Sequence, residues 1–336
     1  MTTSPSAPIV LILGARGRLG LAATRAFAQA GWQVRAQVRP GATGPAVPGV
    51  QWMAAAPGDT PTLAAQAQGA QVVVHALNPA YTHKAWREGA PSLMDAAIEV
   101  TRALGATLML PGSVYNYGHA MPPVLREDTP QAAMDFKGRL RIGLEQRLQA
   151  ATRDGDMRAV VLRAGDFFGS GAGNWLDQAI AKDLARGRVT WPGPLDVGRP
   201  WAYLPDLARS LVRVAEERHR LQAFDTLHFA GQQVTAQQWV DVLAAVAAEQ
   251  RWVPDASKVR VDRLPWPLLR IAGMVMPTYA ALADVRYLWS TPHRLDNTRL
   301  AALIGAEPHT PFEQAVRRAL HDLGLLAPVR PQAALA

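Results

Sequence analysis

The chain has 336 residues, a formal net charge of +8 and no cysteine, and 49% of its residues are hydrophobic. This length is enough for two domains, or for one large sheet domain with a subsidiary lobe. The missing cysteine excludes disulfides, a catalytic thiolate and cysteine-ligated zinc. The most apolar stretch, residues 264–276, is interrupted by Pro265, Pro267 and Arg270, so we expect no membrane span.

The positive charge is spread along the chain and comes almost entirely from arginine, since only four lysines occur. There is no basic run with interleaved aromatic residues, and the histidines lack the spacing of metal ligands. We therefore expect neither nucleic acid nor a membrane as partner, and no bound metal. Residues 1–8 carry no basic region ahead of the first apolar run, so we predict no signal peptide and a cytoplasmic location.

The most informative segment is residues 9–20, where a short apolar run leads into three glycines. Gly14 permits a tight turn, Gly17 lets the backbone approach a pyrophosphate, and Gly20 lets the next helix pack on the strand. The N-terminus of that helix offers free N–H groups and a partial positive charge to phosphates. We predict a dinucleotide site here, to which Leu19 in the first helical turn also belongs.

Strands and helices alternate along the first half of the chain. The predicted strands after the first lie at 33–39, 50–53, 72–75, 107–110 and 158–163, and the predicted helices at 19–30, 60–68, 92–104 and 131–152. This alternation predicts an α/β fold of the Rossmann type, with a doubly wound parallel sheet and right-handed crossovers.

Beyond residue 170 the pattern loosens into glycine, proline and tryptophan-rich loops. Helices are predicted near 175–186, 206–217, 236–249, 277–289 and 311–323. We assign residues 1–170 to a dinucleotide-binding domain, to which 205–232 return through a strand at 226–230. Residues 171–204 and 233–330 then form a smaller C-terminal substrate lobe, and 331–336 a tail.

The end of the second predicted strand bears on the choice of cofactor. NAD-binding sheets usually carry a carboxylate there for the ribose 2′-hydroxyl, but this strand ends in Arg39, and no acid occurs between Gln33 and Gly58. Arg16 lies within the glycine loop, and both guanidinium groups suit a 2′-phosphate. We therefore favour NADP over NAD; the alternative is that both arginines are exposed loop residues without a role.

Further motifs follow in a fixed order. They are Gly58-Asp59, Val74-His75-Ala76, Ser113-xxx-Tyr117-Gly118, Arg163-Ala-Gly-Asp-Phe-Phe-Gly169 and Tyr203-Leu-Pro-Asp206. With the glycine loop, they resemble the extended short-chain dehydrogenase/reductases, which include the NAD-dependent epimerase/dehydratase group, over residues 9 to about 210. The resemblance implies an NAD(P)-dependent oxidoreductase or epimerase-like enzyme that acts on a carbonyl or secondary alcohol of a small-molecule substrate.

The resemblance also implies contacts and an assembly. Ala76 would lie beside the cofactor, and Asp59 would contact the adenine or else serve only as the turn residue of Pro57-Gly-Asp. In many relatives the helices that correspond to 92–104 and 131–152 form a homodimer bundle, so a homodimer is one of the assemblies that the resemblance allows, and the oligomeric state stays open.

In this family a serine after the fifth strand binds the reacting oxygen, and a Tyr-xxx-Lys pair on the next helix transfers the proton. Ser113 matches the serine. Counting back from Glu145 puts Lys137 in the tyrosine position and Arg141 in the lysine position, so the pair itself does not match. Residues 137, 141 and 145 share one helical face, where an Arg141–Glu145 ion pair is expected.

Three interpretations of this helix stay open. In the first, Lys137 replaces the tyrosine as proton carrier, with its pKa lowered by Arg141 and by partial burial. In the second, Lys137 and Arg141 only hold the ribose and phosphates, and Tyr115, Tyr117 or Tyr81 supplies the proton. In the third, the protein is a catalytically inactive NAD(P)-binding sensor or assembly scaffold.

Overall fold

A computed structural model describes residues 7–327 of the chain, so the predicted tail at 331–336 lies outside the described residues. Its strands are β1 (Ile9–Leu13), β2 (Gln33–Val38), β3 (Val50–Ala54), β4 (Ala70–His75), β5 (Thr107–Ser113), β6 (Val124–Leu125), β7 (Arg158–Ala164), β8 (Asp166–Phe168), β9 (Arg188–Trp191), β10 (Gly198–Tyr203), β11 (Phe224–His228), β12 (Gln232–Thr235), β13 (Arg260–Arg263) and β14 (Arg294–Leu295).

The α-helices connect these strands and form the outer layers. They are α1 (Arg18–Gln29), α2 (Thr60–Gln66), α3 (His83–Leu104), α4 (Phe136–Ala151), α5 (Leu204–Glu216), α6 (Ala236–Glu249), α7 (Trp266–Gly273), α8 (Pro277–Ala283), α9 (Thr298–Ile304) and α10 (Phe312–Asp322). Within residues 7–327, none of them combines the length and the apolar character needed to cross a bilayer.

Seven parallel strands form the central sheet in the order β11-β7-β5-β4-β1-β2-β3. Alternate residues of β1 face opposite layers, since Val10 and Ile12 pack with α1 and α5, whereas Leu11 and Leu13 pack with α3 and α4. The predicted doubly wound parallel sheet is therefore confirmed. The order in which successive strands are added to the sheet reverses between β1 and β4. Ligands of such sheets bind at that point, beyond the carboxyl ends of the strands.

The smaller C-terminal part lies beyond the sheet's carboxyl edge. It contains a three-stranded sheet, β12-β10-β8, and a parallel pair, β13-β9. Its core is built around the buried indoles of Trp191, Trp201, Trp239 and Trp289. Strand β11 leaves this part and pairs with β7, which is the return to the main sheet that the sequence predicts.

Several helix boundaries differ from the sequence predictions because of capping side chains. Helix α3 begins well before residue 92, because the Thr82 hydroxyl accepts a hydrogen bond from the Ala85 amide. Helix α4 begins after residue 131, because Asp135 Oδ1 accepts from the Gly138 amide at 2.8 Å. Sequence analysis did not predict α7. Its N-terminal prolines are tolerated because the backbone N–H groups of the first helical turn donate no hydrogen bond within the helix.

Two predicted helices are shorter than expected. The segment 277–289 divides into α8 and a 3-10 turn at Arg286–Trp289, and 175–186 contains only short turns at Leu176–Ile180 and Leu184–Arg186.

Three histidines are buried in this fold. His75 ends β4, His228 ends β11 and His293 precedes β14. Burial is the main cause that lowers the pKa of each of them to about 4, and nearby arginines lower it further. All three are therefore neutral in the folded protein at neutral pH.

We expect the free energy of unfolding to fall as the pH drops below 6.5, the ordinary histidine value, towards about 4. Between these two pH values the three histidines bind protons in the unfolded chain but not in the folded protein. Each histidine therefore lowers the free energy of unfolding by ~1.4 kcal/mol per pH unit as the pH falls. Urea denaturation at a series of pH values measures the slope. His219→Gln, at an exposed histidine, should leave the slope unchanged, whereas a flat wild-type profile would contradict the assignment.

Candidate active site and cofactor cradle

The glycine loop forms a cradle between β1 and α1. Gly14 has a φ of +77°, and a Cβ there would lie 3.0 Å from the backbone of Ala76 at the end of β4. A Cβ on Gly20 would lie 2.2 Å from the Gly14 oxygen, so only glycine permits this approach. Gly17 caps α1 without any side-chain hydrogen bond. The first amide groups of α1, including that of Leu19, thus keep no side-chain partner, which fits a pyrophosphate.

Gln37 braces this cradle from β2. Its buried side chain accepts a hydrogen bond from the Gly14 amide at 2.8 Å and donates one to the Ala55 oxygen at 2.7 Å. Sequence analysis did not single out Gln37, because Gln37 alternates with the apolar residues of β2 in the same way as Gln33 and Arg35 do.

Arg16 and Arg39 are both exposed beside this cradle, and neither makes an ion pair within residues 7–327. Asp59 caps α2, where its Oδ1 accepts a hydrogen bond from the Thr62 amide at 3.2 Å. The Asp59 side chain thus closes the turn that precedes α2.

Lys137 is completely buried in the first turn of α4. Its Nζ donates a hydrogen bond to the Ala281 oxygen of α8 at 2.8 Å and lies 3.1 Å from the centroid of the Tyr81 ring. Burial lowers the pKa of Lys137 to about 7; Asp284 and Asp135 oppose that shift, and Arg141 adds to it. Close to neutral pH, this amine therefore exists in both protonation states.

Arg141 lies one turn further along α4. Its guanidinium carbon is 4.9 Å from the centroid of the Trp86 ring, and its Nε is buried without a hydrogen-bond partner. The expected ion pair with Glu145 is wrong, because Glu145 binds Arg163 of β7 through both carboxylate oxygens, at 2.5 and 3.3 Å. A two-point contact between planar groups outcompetes a single contact along one helix. Arg141 is thereby left available to a ligand such as a ribose.

The three tyrosines that sequence analysis considered as proton donors, Tyr81, Tyr115 and Tyr117, differ in their hydrogen-bond partners. Tyr81 and Tyr115 interact with each other, and burial raises the pKa of both above the usual phenol value. Their hydroxyls therefore stay protonated. The Tyr117 hydroxyl instead accepts from Arg163 Nη1 at 2.7 Å and lies 2.7 Å from Nε2 of His228. Tyr117 thus belongs to a separate buried network.

Ser113 is the last residue of β5. Its Oγ accepts a hydrogen bond from the Tyr115 amide at 3.3 Å, and the residue is half-buried. Gly138 of α4 packs so closely on this loop that a Cβ would lie 2.6 Å from the Tyr115 oxygen. The first turn of α4, which carries Lys137, therefore packs directly on the loop that follows Ser113.

Sequence analysis missed the residues that the C-terminal part contributes. Arg199 Nη2 lies 2.9 Å from Asp166 Oδ2, and its guanidinium carbon is 3.6 Å from the centroid of the Trp289 ring. The Tyr287 hydroxyl is buried without a partner. His83 Nε2 lies 2.7 Å from Asp284 Oδ2, which joins α3 to the end of α8. Only Asp166 had a signal, since it lies within the quoted motif after Arg163.

Comparisons with known proteins give a family and a fold. Residues 10–227 match the model of the NAD dependent epimerase/dehydratase family. A putative epimerase from Burkholderia cenocepacia J2315 is similar, with a TM-score of 0.72 and 18% identity over 95% of this chain and 98% of that chain. Among curated proteins, none matches the sequence.

Two other solved structures have the same fold. The Bordetella bronchiseptica enzyme WbmH, solved in complex with NAD+, has a TM-score of 0.67 and 18% identity over 94% of this chain and 98% of that chain. UDP-N-acetylglucosamine 4-epimerase from Bacillus cereus has a TM-score of 0.69 and 12% identity over 93% of this chain and 98% of that chain. Together with the glycine cradle, the family match shows that the chain belongs to the NAD-dependent epimerase/dehydratase family of NAD-binding enzymes.

Proposed function

We propose that the protein is an NAD(P)-dependent enzyme that oxidises or reduces a secondary alcohol or carbonyl, with Lys137 as the proton carrier. The observation that carries this proposal is the complete burial of Lys137 in the family's tyrosine position, with a pKa of about 7. A general acid or base works best when its pKa lies near the operating pH. When bound, the nicotinamide supplies the hydride donor or acceptor.

The neighbouring side chains have complementary roles in this proposal. The Ser113 Oγ already accepts from the Tyr115 amide, so its own O–H remains to donate to the reacting oxygen. Arg141 binds the ribose hydroxyls through its unpartnered Nε. Tyr81 and Tyr115 act as neutral donors that orient the substrate, because their raised pKa values keep them protonated.

We also propose that NADP is preferred over NAD. The support is the pair of exposed guanidinium groups of Arg16 and Arg39 beside the cradle, together with the lack of any acid between Gln33 and Gly58. A guanidinium binds a 2′-phosphate through two parallel hydrogen bonds, whereas a carboxylate in the same place would repel it.

Lys137→Met should lower kcat by ~10²-fold or more, because it removes the proton carrier. In the oxidative direction the lysine must be neutral, so wild-type kcat should rise with pH through about 7. The measurement is NADP-linked turnover against pH over a panel of nucleotide sugars and simpler secondary alcohols. The double variant Lys137→Tyr/Arg141→Lys, which restores the family pair, should keep turnover and lose the step near pH 7.

Lys182→Met at an exposed lysine is the matched control for this experiment and should retain wild-type turnover. Unchanged turnover in Lys137→Met would overturn the assignment of Lys137. A wild-type protein that binds NADPH tightly but turns over nothing in the panel would instead support the inactive sensor or assembly scaffold.

Arg39→Asp should weaken NADPH binding by ~10-fold or more and favour NADH, because it replaces a phosphate partner with an acceptor for the ribose 2′-hydroxyl. Fluorescence titration of both nucleotides gives the ratio of Kd values. Arg25→Asp, on the exposed side of α1, makes the same change in net charge and should leave that ratio unaltered. The NADP preference would be refuted if the wild type, Arg39→Asp and Arg25→Asp all had the same ratio of Kd values for NADPH and NADH.

A further inference from the structure

The strongest feature that the proposed function leaves unused is an apolar surface on α7 and the turn into α8. In residues 7–327, six large apolar side chains are at least half exposed, and five of them lie between 268 and 276. We call these five the α7–α8 face: Leu268, Ile271, Met274, Val275 and Met276, with exposed fractions of 64%, 60%, 79%, 84% and 50%. Contiguous exposure of this kind marks an interaction surface.

Arginine is the only charged residue type in the segment 263–283, which Asp262 and Asp284 flank. From Arg263 to Ala283 the sequence contains no acidic residue, whereas Arg263, Arg270 and Arg286 are all exposed. Arg263 and Arg286 line a cleft of about 290 Å³ whose walls include the indoles of Trp191, Trp266 and Trp289. Neither arginine forms an ion pair in the described part of the chain.

We propose that the protein docks on an anionic lipid bilayer through the α7–α8 face, with Arg263, Arg270 and Arg286 binding the headgroup phosphates. Apolar side chains rimmed by arginine are the composition of a helix that lies in the plane of a membrane interface. Helices α7 and α8 have only 8 and 7 residues, so they lie on the bilayer and do not cross it. This proposal departs from the expectation that a membrane is not a partner, which rested on the absence of a membrane span in the sequence.

Charge also decides between a bilayer and a second copy of the chain. A two-fold pairing of α7–α8 faces would bring Arg270 of the two copies together, and the segment 263–283 contains no acid to offset them. An anionic bilayer neutralises the same arginines and at the same time buries the apolar side chains. The bilayer is therefore the occupant that satisfies both the apolar and the charged components of the surface.

The opposite side of the same hairpin covers the candidate active site. Ala281 of α8 accepts the hydrogen bond from Lys137, and Asp284 contacts His83. Docking through the α7–α8 face would therefore place the site directly behind the membrane-bound hairpin. The docking proposal does not depend on what reaction the site performs, because binding to vesicles is measured without turnover.

Flotation of the full-length protein with vesicles tests the proposal. Wild type should float with phosphatidylcholine–phosphatidylglycerol vesicles and much less with phosphatidylcholine alone, and added salt should weaken the binding. Ile271→Ser/Met274→Ser should lower binding by roughly tenfold or more, because both side chains enter the interface. Arg270→Glu should lower it several-fold and flatten the salt dependence.

Met134→Ser is the matched control, because Met134 is 75% exposed but lies outside the α7–α8 face. It should float as wild type does, and circular dichroism should show every variant folded. The proposal is overturned if wild type stays with the soluble fraction on anionic vesicles, or if Met134→Ser is as defective as the double variant. Self-association that the double variant abolishes, without any vesicle binding, would assign the face to a second copy instead.

Discussion

Lys137 and Arg141 place two cations one helical turn apart in α4. Their removal from water costs free energy, and the surrounding side chains and the pKa of Lys137 reflect that cost. Neither forms an ion pair within residues 7–327; their neighbours are aromatic faces and the Ala281 carbonyl oxygen. Such partners compensate a full charge only in part. Because this compensation is incomplete, burial in the low dielectric of the pocket favours the neutral amine and lowers the pKa of Lys137. The amine therefore titrates near neutral pH.

The site lies where two parts of the chain meet. The main sheet supplies the glycine cradle, Ser113 and α4, whereas Ala281, Asp284 and the stacked Arg199 come from the C-terminal part. In the sheet portion, Gly20 and Gly14 make a close backbone contact that no other residue permits. The candidate site therefore combines side chains of both parts of the chain.

The fold was predictable wherever the signal was local. Short segments of the sequence show the glycine spacing, the apolar strands and the position of Lys137 relative to Glu145. These features are enough to predict the sheet, the cradle and the family. The pairing of Glu145 could not be predicted, because Glu145 lies on helix α4 and its partner Arg163 lies on strand β7. The C-terminal part was predicted least well, since its short strands depend on tryptophan packing between distant segments.

A chain of buried hydrogen bonds links Glu145 of α4 to Arg163 of β7, then to Tyr117, and finally to His228 of β11. His228 follows Lys137 by nearly a hundred residues, and β11 joins the sheet only after the chain has passed through α5. Because synthesis proceeds from the N-terminus, the Glu145–Arg163 contact between α4 and β7 can form before β11 has been made, and His228 completes the chain of hydrogen bonds later. The residues of the glycine cradle are made early in synthesis, whereas the Ala281 oxygen that accepts from Lys137 follows that lysine by 144 residues.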